Sequence, residues 1–134
     1  MKNRLSKILL VTLLLALLLA ACQSSEAEEG PAEAYWAYYE YCENKQFESA
    51  EKYLDEEARA QIESIGVCGF THDAINRIEA NRGGAQRVFS DDPETNISNN
   101  SAVMNWIDDQ GFLASVFLVK TEAGWKIAYT VWST

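Results

Sequence analysis

The feature that most constrains this chain is its first 22 residues. Lys2, Arg4 and Lys7 place positive charge at the start, and an apolar run from Ile8 to Ala21 follows, interrupted only by Thr12. Ala20 and Ala21 then precede Cys22. A basic start, an apolar middle and a small-residue end form the layout of a secretory signal peptide. A membrane-spanning helix is the competing reading, and length argues against it. From Ile8 to Ala21 a helix rising about 1.5 Å per residue reaches only ~21 Å, short of the ~30 Å hydrocarbon core. Removing residues 1–21 leaves 113 of the 134 residues to fold. That suits one domain with a single core and hardly two.

The ending Leu19-Ala20-Ala21-Cys22 resembles the bacterial lipobox. The resemblance implies diacylation of the Cys22 sulfur, cleavage just before it, and a membrane anchor made of lipid. Ordinary cleavage after Ala21 without lipid is the alternative. Burying acyl chain is worth ~0.8 kcal/mol per methylene, so two chains hold a protein on a bilayer stably. Gln23 is not the aspartate that resembles an inner-membrane retention signal, so the expected location is the cell membrane or an outer membrane, with the domain on the non-cytoplasmic side. The leader carries three of the eleven basic residues and none of the twenty acidic ones, leaving eight against twenty and a net charge of −12. Such a body repels nucleic acid and anionic head groups, and no nucleic-acid partner is expected. Residues 22–31 are polar, acidic and poor in large apolar groups, as expected of a disordered tether. The domain is expected over 32–134.

With Cys22 assigned to lipid, Cys42 and Cys68 remain as an even pair. Export favours a disulfide between them, worth roughly 3 kcal/mol in the chain-entropy model. Two free buried thiols are the alternative. Two cysteines and His72 do not make a zinc set, and no metal or other cofactor is expected.

From Ala32 the spacing of apolar residues is helical. Pro31 fits a first turn and Glu33 the positive end of the helix dipole, while Ala34, Ala37, Tyr38, Tyr41 and Cys42 form one face. After a break at Asn44-Lys45, Phe47, Ala50, Leu54, Ala58, Ile62 and Ile65 form a second stripe. Asp55 is placed to cap a restart before Glu56 and Glu57, and Gly66 ends the stripe. Thr71 caps a third helix with Ala74, Ile75 and Ile78, closed by Gly83-Gly84. The period then falls to two. A strand opens at Arg87-Val88-Phe89, with a bend or bulge at Asp91-Asp92-Pro93. Strands follow at Ser101–Ile107, Phe112–Thr121 and Trp125–Ser133, joined by Asp108–Gly111 and Glu122–Gly124 turns. Helices first and an antiparallel meander afterwards predict an α+β domain.

The segment Glu40-Tyr41-Cys42-Glu43-Asn44-Lys45-Gln46-Phe47-Glu48-Ser49-Ala50-Glu51-Lys52-Tyr53-Leu54 looks like the helix–break–helix opening of nuclear transport factor 2-like domains. The ending Phe117-Leu118-Val119-Lys120-Thr121-Glu122-Ala123-Gly124-Trp125-Lys126-Ile127 is similar to that superfamily's terminal hairpin. The chain most resembles its small bacterial lipoproteins of unknown function. The resemblance implies a cone: N-terminal helices packed in a curved antiparallel sheet, often with a pocket at the open end. The superfamily holds enzymes and non-catalytic binding modules, so the fold does not choose between them.

Acid–base catalysis in such a cone needs an ionisable group on an inward strand position. No Asp, Glu, His, Lys or Arg lies within Ser101–Ile107 or Phe112–Val119, and Trp125–Trp132 holds only Lys126, opposite Trp125, Ile127, Tyr129 and Val131. No catalytic residue is therefore assigned. His72, the one imidazole, reads as a solvated first-turn residue or as a base partnered by Asp73 or a tyrosine. The cluster Asp91, Asp92 and Glu94 lacks EF-hand spacing and reads as a solvated loop, and the sequons at Asn96 and Asn99 are discounted in a bacterial host. Tyr38, His72, Trp106 and Trp125 are the candidate pocket for a small hydrophobic ligand. Phe112–Val119 is apolar on both faces, with Leu113, Phe117 and Val119 opposite Phe112, Val116 and Leu118. A strand covered on one side alternates with polar residues, so a homodimer through the outer sheet face is expected. The reading is a membrane-anchored, non-enzymatic envelope lipoprotein that binds a small apolar ligand or a partner protein. The alternative is an isomerase- or dehydratase-like enzyme using His72 or a carboxylate at the cone mouth.

Overall fold

The first helix, α1 (Pro31–Glu43), begins where proline's missing N–H costs nothing, with Pro31 in the first turn and Glu33 beside the helix's positive end. The computed structural model describes residues 28–74, 77 and 89–133. The leader, Cys22 and most of the tether lie outside that range, as do Ile75, Ile78 and the Gly83-Gly84 stop. Helix α1 buries Pro31, Ala34, Tyr35 and Tyr38, so its core face is turned toward Tyr35, while Ala37, Tyr41 and Cys42 are half-buried. Its end is a Schellman motif. Gln46 N–H donates to Tyr41 O at 2.8 Å and Lys45 N–H to Cys42 O at 3.1 Å, with Lys45 at φ 58° in the position that glycine usually holds.

The expected second stripe, with its restart at Asp55, folds as three short helices: α2 (Phe47–Glu51), α3 (Glu56–Arg59) and α4 (Ile62–Ile65). Between α2 and α3 the break has a competing partner. Asp55 N–H donates to Ile127 O at 2.9 Å and Ile127 N–H to Tyr53 O at 2.7 Å, forming a parallel bridge at Leu54 that pulls the backbone out of helix. Asp55 then caps α3 as expected, accepting from Ala58 N–H at 2.9 Å. Phe47 does not join the core face and stands 50% exposed.

Strands β1 (Glu94–Ser98), β2 (Ser101–Ile107), β3 (Leu113–Thr121) and β4 (Gly124–Ser133) pair antiparallel in chain order, which makes the domain α+β. The expectation at Arg87-Val88-Phe89 is corrected at Phe89, which is not in a strand; Arg87 and Val88 lie outside the described residues. The chain bends at Asp91-Asp92, as expected, and the first strand among the described residues comes after Pro93, beginning at Glu94, which was read as part of a solvated loop. It was hidden because β1 is a mostly exposed edge strand, with too few buried side chains to alternate.

The inner face of the sheet carries Ala102, Met104 and Trp106 of β2, and Ala114, Val116 and Leu118 of β3. They meet Tyr35, Tyr38, Leu54 and Phe112 in one core. On β4 the expected alternation fails. The register slips between Phe117 and Leu118, which pair with Tyr129 and Ile127, leaving Ala128 as an extra residue. Trp125, Ile127 and Ala128 are buried, whereas Tyr129 is half-exposed and Val131 is 48% exposed. The bulge thus moves Tyr129 and Val131 to the outer face, where Tyr129 stacks on Phe117 at 4.5 Å. Leu113, Phe117 and Val119 lie half-buried on that face with Val103.

Candidate functional site

Helix α1 clamps the segment that follows α4. Cys42 is bonded to Cys68, with their Cα atoms 5.7 Å apart, so the sequence expectation of a disulfide holds. One turn earlier, the buried Tyr38 hydroxyl donates to Val67 O at 2.7 Å and accepts from Phe70 N–H at 3.4 Å. Near the start of the helix, the Tyr35 hydroxyl accepts from His72 N–H at 3.0 Å and lies 2.7 Å from His72 Nδ1. Tyr39 donates to Asp73 Oδ2 at 2.5 Å. Residues three or four apart share one side of a helix, so these four side chains seize successive points of residues 67–73. Thr71 Oγ1 accepts from Ala74 N–H at 3.1 Å, capping the helical turn that follows, as its sequence position predicts.

His72 is 6% exposed and enclosed by rings. It stacks on Trp106 at 5.0 Å and 11°, and on Tyr39 at 5.2 Å and 17°, while Trp36 and Phe89 approach edge-on. The Tyr35 hydroxyl thus engages both the backbone N–H and the ring Nδ1 of His72, and the tautomer sets which of the ring pair donates. The other ring nitrogen, Nε2, lies 3.7 Å from Asp73 Oδ1. The solvated alternative for His72 is corrected here, because the Tyr35 latch draws the ring inward. Burial pulls His72 below its usual pKa of 6.5, against the raising influence of the Asp73, Asp91 and Glu43 carboxylates. Burial also raises Tyr35 and Tyr39, and for Tyr39 the hydrogen bond to Asp73 adds to it.

A pH dependence follows. The unfolded chain takes up the imidazole proton at higher pH than the folded one, so this group's contribution to stability is complete above pH 6.5 and falls as the pH drops below it. The urea midpoint is expected to be lower at about pH 5.5 than at about pH 7.5, and His72→Gln should flatten that difference. An equal difference in the variant contradicts the assignment.

Trp106 is 1% exposed, yet its indole Nε1 has no hydrogen-bond partner among the described residues. An unpaired buried donor costs roughly 1–3 kcal/mol, so ring packing against Tyr35 at 4.9 Å and His72 must outweigh it.

The residues expected to form a pocket are brought only partly together. His72 and Trp106 stack, Tyr38 is held by Val67 and Phe70, and Trp125 packs on β4 beside the hairpin turn. All four are buried. A groove of about 710 Å³ opens elsewhere, on the side of residues 66–69. Phe47, Ile62, Ile65, Val67 and Ala74 line it beside Cys68, and Arg77 stands at its margin. Gly66 at φ +79° ends α4 in a conformation that suits glycine, and Gly69 lies against α4, where a Cβ would meet Ile65 O at 2.5 Å. The groove was not read from the sequence. Phe47 and Ile65 were placed in a core stripe, whereas Phe47 is exposed and Ile65, half-buried against the core, also lines the groove.

Among the described residues, no group of three or more His, Cys, Asp or Glu side chains is placed to hold a metal ion, and no helix is long and apolar enough to cross a membrane. No family model matches the chain, and no curated protein or solved structure matches it either.

Proposed function

We propose that this chain is a lipid-anchored, non-catalytic binding protein of the bacterial cell envelope. Its domain, of the nuclear transport factor 2-like kind, takes up a small apolar ligand on the non-cytoplasmic side of the cell membrane or an outer membrane. The observation that carries the binding reading is the groove beside the Cys42–Cys68 bond, whose size lies within the range of small-molecule sites and whose lining is mostly apolar. The anchor rests on the Leu19-Ala20-Ala21-Cys22 ending, and the exported location agrees with the disulfide.

The arrangement around His72 favours binding over catalysis. A general base needs a free lone pair within reach of a substrate proton. Here the Tyr35 hydroxyl engages Nδ1, Nε2 faces Asp73, and aromatic rings cover the imidazole. A homodimer through the outer sheet face is the second reading, supported by Val103, Phe117, Tyr129 and Val131 standing open on one face.

Two measurements test this. Cells given an alkyne-tagged palmitate should yield labelled protein, and Cys22→Ala should abolish the label. An unlabelled wild-type chain removes the anchor. Native mass spectrometry of the full chain released from nanodiscs should show a co-purified small molecule lost on Phe47→Asp substitution. A bare mass in every preparation removes the ligand, and a strictly monomeric one removes the dimer.

A further inference from the structure

The groove's lining includes one charged side chain among mostly apolar ones. Arg77 is exposed at the margin, and no ion pair joins its guanidinium to another described residue. After the leader, the chain carries twenty acidic residues against eight basic ones. In such a body an unpaired arginine is out of keeping with its surroundings. A mostly apolar groove of ligand size with one guanidinium in its lining is complementary to a molecule with an apolar chain and an anionic head.

We infer that the ligand is a free long-chain carboxylic acid, its chain against Phe47, Ile62, Ile65 and Val67 and its carboxylate on Arg77. This rests on the binding reading above and narrows it to one chemical class. The chain gains by leaving water, in proportion to the apolar area it buries. The head gains a charge-assisted, bidentate contact that arginine's planar fork is shaped to make. The surrounding acidic field opposes any anion that lacks that contact, so the guanidinium sets selectivity by giving the head its one favourable place. A neutral alcohol of the same chain lacks that contact. A cationic amphiphile would meet the guanidinium with like charge.

The test uses the full lipidated chain in nanodiscs with a long-chain fatty acid bearing a diazirine on its chain, and the matching alcohol. After irradiation, cross-links from the acid should map to peptides holding Phe47 and Ile62–Val67. Arg77→Glu should cut labelling by about tenfold, the value of one lost charge-assisted contact. Arg77→Lys should keep most of it, and the alcohol should label weakly and equally in all three proteins. Because Arg77 is exposed, neither substitution disturbs the core. If acid and alcohol label the groove alike and Arg77→Glu changes nothing, the carboxylate inference is wrong while the apolar groove stands. If neither probe labels the groove, both readings fall.

Discussion

Replacing Cys42 and Cys68 together by alanine is expected to lower the unfolding free energy by about 3.5 kcal/mol, or on the order of 15 °C in Tm for a domain of this size. The bond joins residues 26 apart in sequence, and cross-linking a loop of that length removes that much entropy from the unfolded chain. The double variant should still fold. Tyr35, Tyr38 and Tyr39 hold the same segment by hydrogen bonds to His72, Val67 and Asp73. Thermal unfolding with and without reductant checks the magnitude, and the reduced wild-type should match the double variant. A loss under 1 kcal/mol would mean that the three tyrosines carry the clamp unaided. The same experiment bears on the groove, since Cys68 and Val67 form part of its wall. Ligand labelling should weaken when the bond is reduced, before global unfolding sets in.

Trp106→Ala is expected to destabilise by roughly 3–5 kcal/mol, and Trp106→Phe by far less. Alanine removes the ring that Tyr35 and His72 both pack on and leaves a cavity where α1 meets the inner face of β2. Phenylalanine keeps an aromatic surface and deletes an N–H that has no acceptor. The smaller ring loses some packing, and removal of an unpaired donor offsets part of that loss. Urea denaturation of the two variants decides it. If phenylalanine is as damaging as alanine, the indole N–H is bonded and the packing account of Trp106 fails.

Much of the architecture could be read from the chain alone. Pro31 and Glu33 mark the start of α1, Asp55 and Thr71 act as caps, and Ser101–Ile107 is a strand over the residues expected. Each is a local matter of an orphan N–H finding an oxygen or of side chains alternating across a pleat, so neighbours in sequence suffice. The Cys42–Cys68 bond was legible because only two cysteines remained once Cys22 was set aside.

Contacts distant in sequence decided the rest. Ile127 accepts from Asp55 N–H and donates to Tyr53 O, and this pairing separates α2 from α3 within the expected stripe. The extra residue at Ala128 reverses the facing of Tyr129 and Val131, which no periodicity within β4 announces. His72 looked like a surface residue until the Tyr35 hydroxyl, 37 positions earlier, drew it inward. The groove lies where the exposed Phe47 and the half-buried Ile65 stand beside the clamped loop. Local chemistry determined α1, the caps at Asp55 and Thr71, and β2, and the cysteine count determined the pair. Which faces close on each other, and which stay open to a ligand, was decided when hydrogen bonds between distant segments outcompeted those that each segment makes by itself.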